Sequence, residues 1–279
     1  MESTSTSNYT PPVNQLLTYG DVRVISRRGW PNYLQLGLGP EHIPDLIRMA
    51  TDEDLNKADS DSVEVWAPLH AWRTLGQLHA EEAIEPLLSL FDISDDAEWE
   101  MSELPEVFAM IGPAALPALA AYIADVSHSD IARSCAISGI EKLASQRPEA
   151  RSECIALLTK QLELFAENGP DINASLILGL ATLKAVEAAP LIERAFAANA
   201  VDIYLMGDWE DVQVELGLLS AEELEQRRSK IIPEKPASSL MHEITYPSRS
   251  SRDRRQREAA QQKARNKMAK QSRKKNRKR

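Results

Sequence analysis

Apolar residues recur along most of the chain in steps of three and four, and no stretch alternates with period two for long enough to form a strand. In the segment 84–91, Ile84, Leu87, Leu88 and Phe91 fall at i, i+3, i+4 and i+7, one apolar face of a helix. These faces come in pairs. First members are predicted over 42–50, 81–91, 114–123, 151–165 and 188–197, and second members over 62–78, 96–111, 129–144, 171–184 and 208–218. Pro44, Pro86, Pro117 and Pro190 stand near the starts of four first members, where a missing N–H costs little. Asp or Ser opens each second member, as N-cap chemistry requires. Pro105 is expected to kink 96–111 or mark its true start, and Pro68 raises the same question for 62–78.

The pairs resemble one another in sequence. LGQLHAEEAIEPLL over 75–88 returns as LATLKAVEAAPLI over 180–192, with a weaker echo over 110–119. Self-similarity of this kind marks a repeat architecture. Five helix pairs, none able to cover its own apolar face, bury those faces by stacking into a solenoid.

These motifs are similar to HEAT-like repeats of the phycobilisome-lyase type. Residues from about 36 to 219 resemble a group of bacterial HEAT-like repeat proteins, through 65–91, 102–124 and 186–219 with its GDWEDVQVEL segment. The resemblance implies an all-α, right-handed solenoid of about five helix pairs. Many relatives end in a cysteine-rich zinc module. This chain has no cysteine after Cys154, so neither that module nor its zinc carries over.

Charge divides the chain. Of 32 Lys+Arg and 42 Asp+Glu, residues 247–279 hold 15 and two, a net of +13. Residues 1–246 keep the other 17 and 40, a net of −23. The expected organisation is an irregular N-terminal arm over 1–35, the repeat body over 36–219, a terminal helix and linker over 220–251, and a basic tail over 252–279. The arm is expected to be mobile, with a short helix near 13–19. The tail has no apolar face and is expected to stay disordered until it turns helical on a partner. Cys135 and Cys154 sit in apolar helical patterns without a CxxC or Cys/His cluster, which predicts buried free thiols. The opening lacks a signal-type apolar run, so a monomeric cytoplasmic protein with no membrane contact is expected.

Two surfaces have the chemistry to bind a protein. Trp66, His70, Arg73 and Gln77 form a row at i, i+4, i+7 and i+11, combining residue types favoured as interface anchors. The concave, second-helix side of a solenoid would present that row to a partner; alternatively Trp66 packs on a neighbouring repeat and His70 is a solvated or capping residue. Trp99 with Glu103 and Glu106, and Trp209 with Asp208 and Asp211, could each grip a cationic segment. The competing reading makes those acids helix N-terminal charges and the tryptophans core.

The tail suits phosphate. Arg252, Arg254, Arg255, Arg257, Lys263, Arg265, Lys267, Lys270, Arg273, Lys274, Lys275, Arg277, Lys278 and Arg279 crowd into it, and Tyr246 is the last aromatic residue. Nucleic acid or ribosome, bound without sequence specificity, is the expected partner. No Walker loop, GxGxxG, GxSxG or HExxH occurs, the histidines are dispersed, and no catalytic, metal or cofactor residues are assigned. A non-enzymatic scaffold is the favoured reading. The alternative, by analogy with the phycobilisome lyases, is a bilin lyase or cofactor-attachment chaperone.

Overall fold

The computed structural model describes residues 9–25, 29–59, 61–92 and 98–231, with side chains left out at 98–101, 230 and 231. The described residues are mostly helical and contain no strand. A 3-10 helix (Val13–Thr18) and the one-turn α1 (Val22–Ile25) precede α2 (Ile43–Ala50), α3 (Glu53–Asn56) and α4 (Ala67–Gln77). Next come α5 (Ile84–Leu88) with α6 (Glu98–Ile111), α7 (Leu116–Ala124) with α8 (Asp130–Gln146), and α9 (Arg151–Leu162) with α10 (Pro170–Thr182). Beyond them lie α11 (Ala189–Ala197), the one-turn α12 (Ile203–Met206), α13 (Trp209–Leu216) and α14 (Ala221–Ile231).

A helix stands at every position predicted from the periodicity. The starts shift for local reasons. Pro68 sits in the first turn of α4, so the helix opens at Ala67 behind a 3-10 turn, Glu64–Trp66. Pro105 lies inside α6 rather than at its start. Ser129 Oγ accepts from the Ala132 N–H at 3.2 Å and caps α8.

Packing follows chain order. The second members meet in sequence, α4 on α6, α6 on α8, α8 on α10 and α10 on α13; among the first members α2 meets α5, α5 meets α7 and α7 meets α9. Trp72, Leu75, Leu87, Phe108, Leu119, Leu143, Leu158, Ile177 and Ile192 are all fully or almost fully buried between them. The packed unit runs to Ser229 and takes in both the described residues between 9 and 35 and most of α14.

The two sequence repeats share one turn. After α4, His79 adopts φ 52°, while its N–H bonds to Gly76 O and that of Ala80 to Leu75 O. After α10, Lys184 adopts φ 53°, with its N–H on Ala181 O and that of Ala185 on Leu180 O. Both are left-handed helix stops with crossed hydrogen bonds. Each then sends its side chain to a carbonyl 31 residues on: His79 Nδ1 to Met110 O, and Lys184 Nζ to Glu215 O. Arg147 Nη2 also donates to Met110 O at 3.0 Å, and Arg151 Nη2 to Leu183 O. Side chains from adjoining pairs thus satisfy end carbonyls of α6 and α13, and Arg151 of α9 does so for α10 within its own pair.

No single helix among the described residues is long and apolar enough to cross a membrane. Cys135 and Cys154 are buried free thiols, as expected, and burial pushes both up to about 11.

Candidate protein-interaction site

Trp66, His70, Arg73 and Gln77 do share one face of the segment around α4, but that face is already occupied. His70 is fully buried and Arg73 is 2% exposed, because the N-terminal segment lies across them. This corrects two expectations together, since the row is not an open surface and the described residues between 9 and 35 are not a loose arm, while 1–8 and 26–28 lie outside the described residues. Tyr9, Val13, Leu16, Leu17, Val22 and Tyr33 join the core, and the expected short helix appears as a 3-10 turn.

Polar chemistry fixes the arm in register. His70 Nε2 is 2.8 Å from Gly20 O, and a carbonyl can only accept, so the proton resides on Nε2. Nδ1 therefore accepts from the Tyr33 hydroxyl, also at 2.8 Å. Tyr19 meets the imidazole edge-on, with centroids 5.1 Å apart. Gln77 brackets Asn32, accepting from Tyr33 N–H at 2.9 Å and donating to Pro31 O at 2.7 Å. Arg73 donates from Nε to Glu103 at 2.6 Å and makes a second bond from Nη2 to the same carboxylate. Its guanidinium lies 4.9 Å from the Trp30 ring centroid, and Nη1 reaches Tyr33 Oη at 3.5 Å. Arg23 covers Trp66 at 4.7 Å and pairs with Asp21, holding that carboxyl below its ordinary value.

The electrostatics favour a neutral histidine. Burial, with the Arg73 charge adding to it, pushes His70 down to about 4, and the bond to Gly20 and the charge of Asp21 only partly oppose this. Burial likewise pushes Tyr33 up to about 12, so it keeps its proton. An unfolded histidine takes a proton near pH 6.5, whereas the folded one resists until about 4. Stability is therefore unaffected by His70 above pH 6.5 and falls as pH drops from there towards 4, by about 3 kcal/mol in total. Denaturant unfolding at both ends of this window checks it. His70→Gln should lose that increment of pH dependence, and an identical pH profile in the variant would show that His70 does not carry it.

The acidic groups fare differently. Glu103 is consumed by Arg73, and Glu106 is bound to Lys142 at 3.3 Å and to Gln146. Neither is an open grip for a foreign cation. Trp99 falls on α6, with its side chain outside the described residues. Asp208 caps α13, accepting from the N–H groups of Glu210 and Asp211, and Asp211 returns a bond to Asp208 N–H. Trp209 is half-buried, and its ring lies 6.2 Å from that of Phe196. Here the capping reading holds, with one addition: Arg228 of α14 binds Asp208 at 2.8 Å and Asp211 at 3.2 Å. These carboxylates do hold a cation, and it belongs to the same chain.

Among the described residues no group of three or more His, Cys, Asp or Glu is placed to hold a metal ion. The tail residues 252–279 lie outside the described residues. Sequence reasoning missed Tyr19, Trp30, Tyr33 and Arg228 as the partners of these rows, and no periodic signal marks them. No family model matches the chain, and no curated protein or solved structure matches it.

Proposed function

We propose that the chain is a cytoplasmic, non-enzymatic scaffold: a right-handed, HEAT-like α-solenoid that holds another protein on its second-helix face, with a tail that binds RNA or ribosome. The ordered packing of α4, α6, α8, α10 and α13 supports the solenoid. The repeated left-handed turns at His79 and Lys184 support the repeat unit. The observation that carries the functional part is the division of charge, −23 over residues 1–246 against +13 over 247–279. An acidic body repels phosphate and attracts basic proteins, while the tail does the reverse. With Trp66, His70, Arg73 and Gln77 occupied by the arm, the protein-binding surface lies further along the repeats.

An affinity pull-down with the full chain, run with and without nuclease, separates the two halves of the reading. Proteins retained after nuclease treatment are held by the body, and those released are bridged by nucleic acid on the tail. If the treated sample retains nothing, the body is not a protein-binding scaffold.

A further inference from the structure

Away from the arm, the second-helix face opens a groove between α8 and α10. Ile131, Ser134 and Ser138 line it from α8, Asp171 and Ser175 from α10, and Leu205 from α12. The serines are short, and their hydroxyls are used within the groove wall: Ser175 donates to Asp171 O at 3.0 Å and accepts from Ser134 at 2.9 Å. Large apolar side chains remain uncovered beside them. Ile131 is 57% exposed and Leu205 59%, while Tyr204, in the same turn as Leu205, is 93% exposed. Isolated exposed leucines are ordinary, but Ile131 and Leu205 stand uncovered together on one groove, as apolar side chains at interaction sites do.

Carboxylates gather at the same place. Asp202 accepts from Tyr204 N–H at 2.8 Å, and its own N–H bonds to Pro170 O, which pins it to the start of α10 near Asp171. Asp130 is also close, for a Cβ built on Gly169 would lie 3.4 Å from its carboxylate. Arg133 reaches Asp130 at 3.4 Å, but among the described residues no ion pair involves Asp171 or Asp202. Desolvation, then Asp202 and Asp130, raises the Asp171 carboxyl above its ordinary value. A cation arriving here relieves that repulsion.

We propose that this groove binds a segment of a partner protein in which arginine or lysine alternates with large apolar side chains. The inference rests on the scaffold reading above and gives it a surface and a partner chemistry. Apolar side chains of the segment cover Ile131 and Leu205, and its cations settle among Asp130, Asp171 and Asp202. Charge complementarity selects this segment over an acidic one and steers its approach.

The probe is a labelled peptide of alternating leucine and arginine, titrated into the full chain and followed by fluorescence anisotropy. Leucine–glutamate and serine–arginine peptides are the controls. The leucine–arginine peptide should bind more tightly than either. The pair Asp171→Asn with Asp202→Asn should weaken it about tenfold or more, as should Ile131→Ser with Leu205→Ser, since a single lost contact of ordinary strength has that effect. Asparagine keeps the α12 cap, and unchanged melting temperatures confirm that the variants fold. Binding unchanged in both double variants overturns the groove while leaving an acidic scaffold that binds cations elsewhere. Equal binding of the leucine–glutamate peptide, or no binding of any peptide, also overturns it, and the nuclease pull-down then judges the scaffold separately. Self-association of the full chain that the same variants abolish assigns the groove to a second copy instead.

Discussion

Replacing Arg73 with Met should lower stability by about 3–5 kcal/mol, among the largest effects of any single substitution in this chain. The reason is the partner left behind. The Glu103 side chain is only 12% exposed, and Arg73 satisfies both of its oxygens. Methionine fills much of the space but offers no donor, so a nearly buried carboxylate loses its counter-ion. The cost spreads into the arm, because Arg73 also reaches the Tyr33 hydroxyl and underlies Trp30. Denaturant unfolding measures the loss. The double variant Arg73→Met with Glu103→Leu is the informative control, since removing both charges should recover most of the stability. If the single and double variants are equally unstable, the loss comes from packing around Trp30 and Tyr33 rather than from the stranded charge.

That ion pair also shows what could be read from the sequence. Trp66, His70, Arg73 and Gln77 are visible as one face from their spacing alone, and their residue types are those of an interface. What covers them is invisible. Tyr33 meets His70 across 37 residues and Gly20 meets it across 50, and hydrogen bonds between distant segments leave no local period. The arm itself looks loose because it is built from 3-10 turns and extended links, which lack a regular apolar stripe. The helix pairs were legible for the opposite reason. Burial on one side repeats every 3.6 residues, and the proline and cap positions punctuate it, so α5, α8 and α10 fall where the pattern puts them. The side chains at the helix stops lie between these extremes. The 31-residue step from His79 to Met110 recurs from Lys184 to Glu215, a regularity of the repeat that becomes visible only once the carbonyl partners are placed.

The proposed RNA binding should vanish when the chain ends at Tyr246, because the phosphate contacts go with the tail. Counterion release also makes that binding depend steeply on salt. Residues 252–279 hold 14 Lys and Arg, and if roughly six to ten of them neutralise phosphates, affinity falls by about 10³–10⁵ between roughly 50 and 200 mM salt. The shortened chain retains 40 acids against 17 bases and repels phosphate. Sequence preference should be slight, because no aromatic residue follows Tyr246 to offer bases a stacking ring, and arginine guanidinium groups stack on any base alike. Filter binding of the full and shortened chains to one structured RNA and to a scrambled one, across a salt series, checks all three points. A full chain whose affinity hardly changes with salt would not be binding through phosphate contacts. A shortened chain that binds as tightly as the whole would move the RNA site onto the helical body, against its own charge.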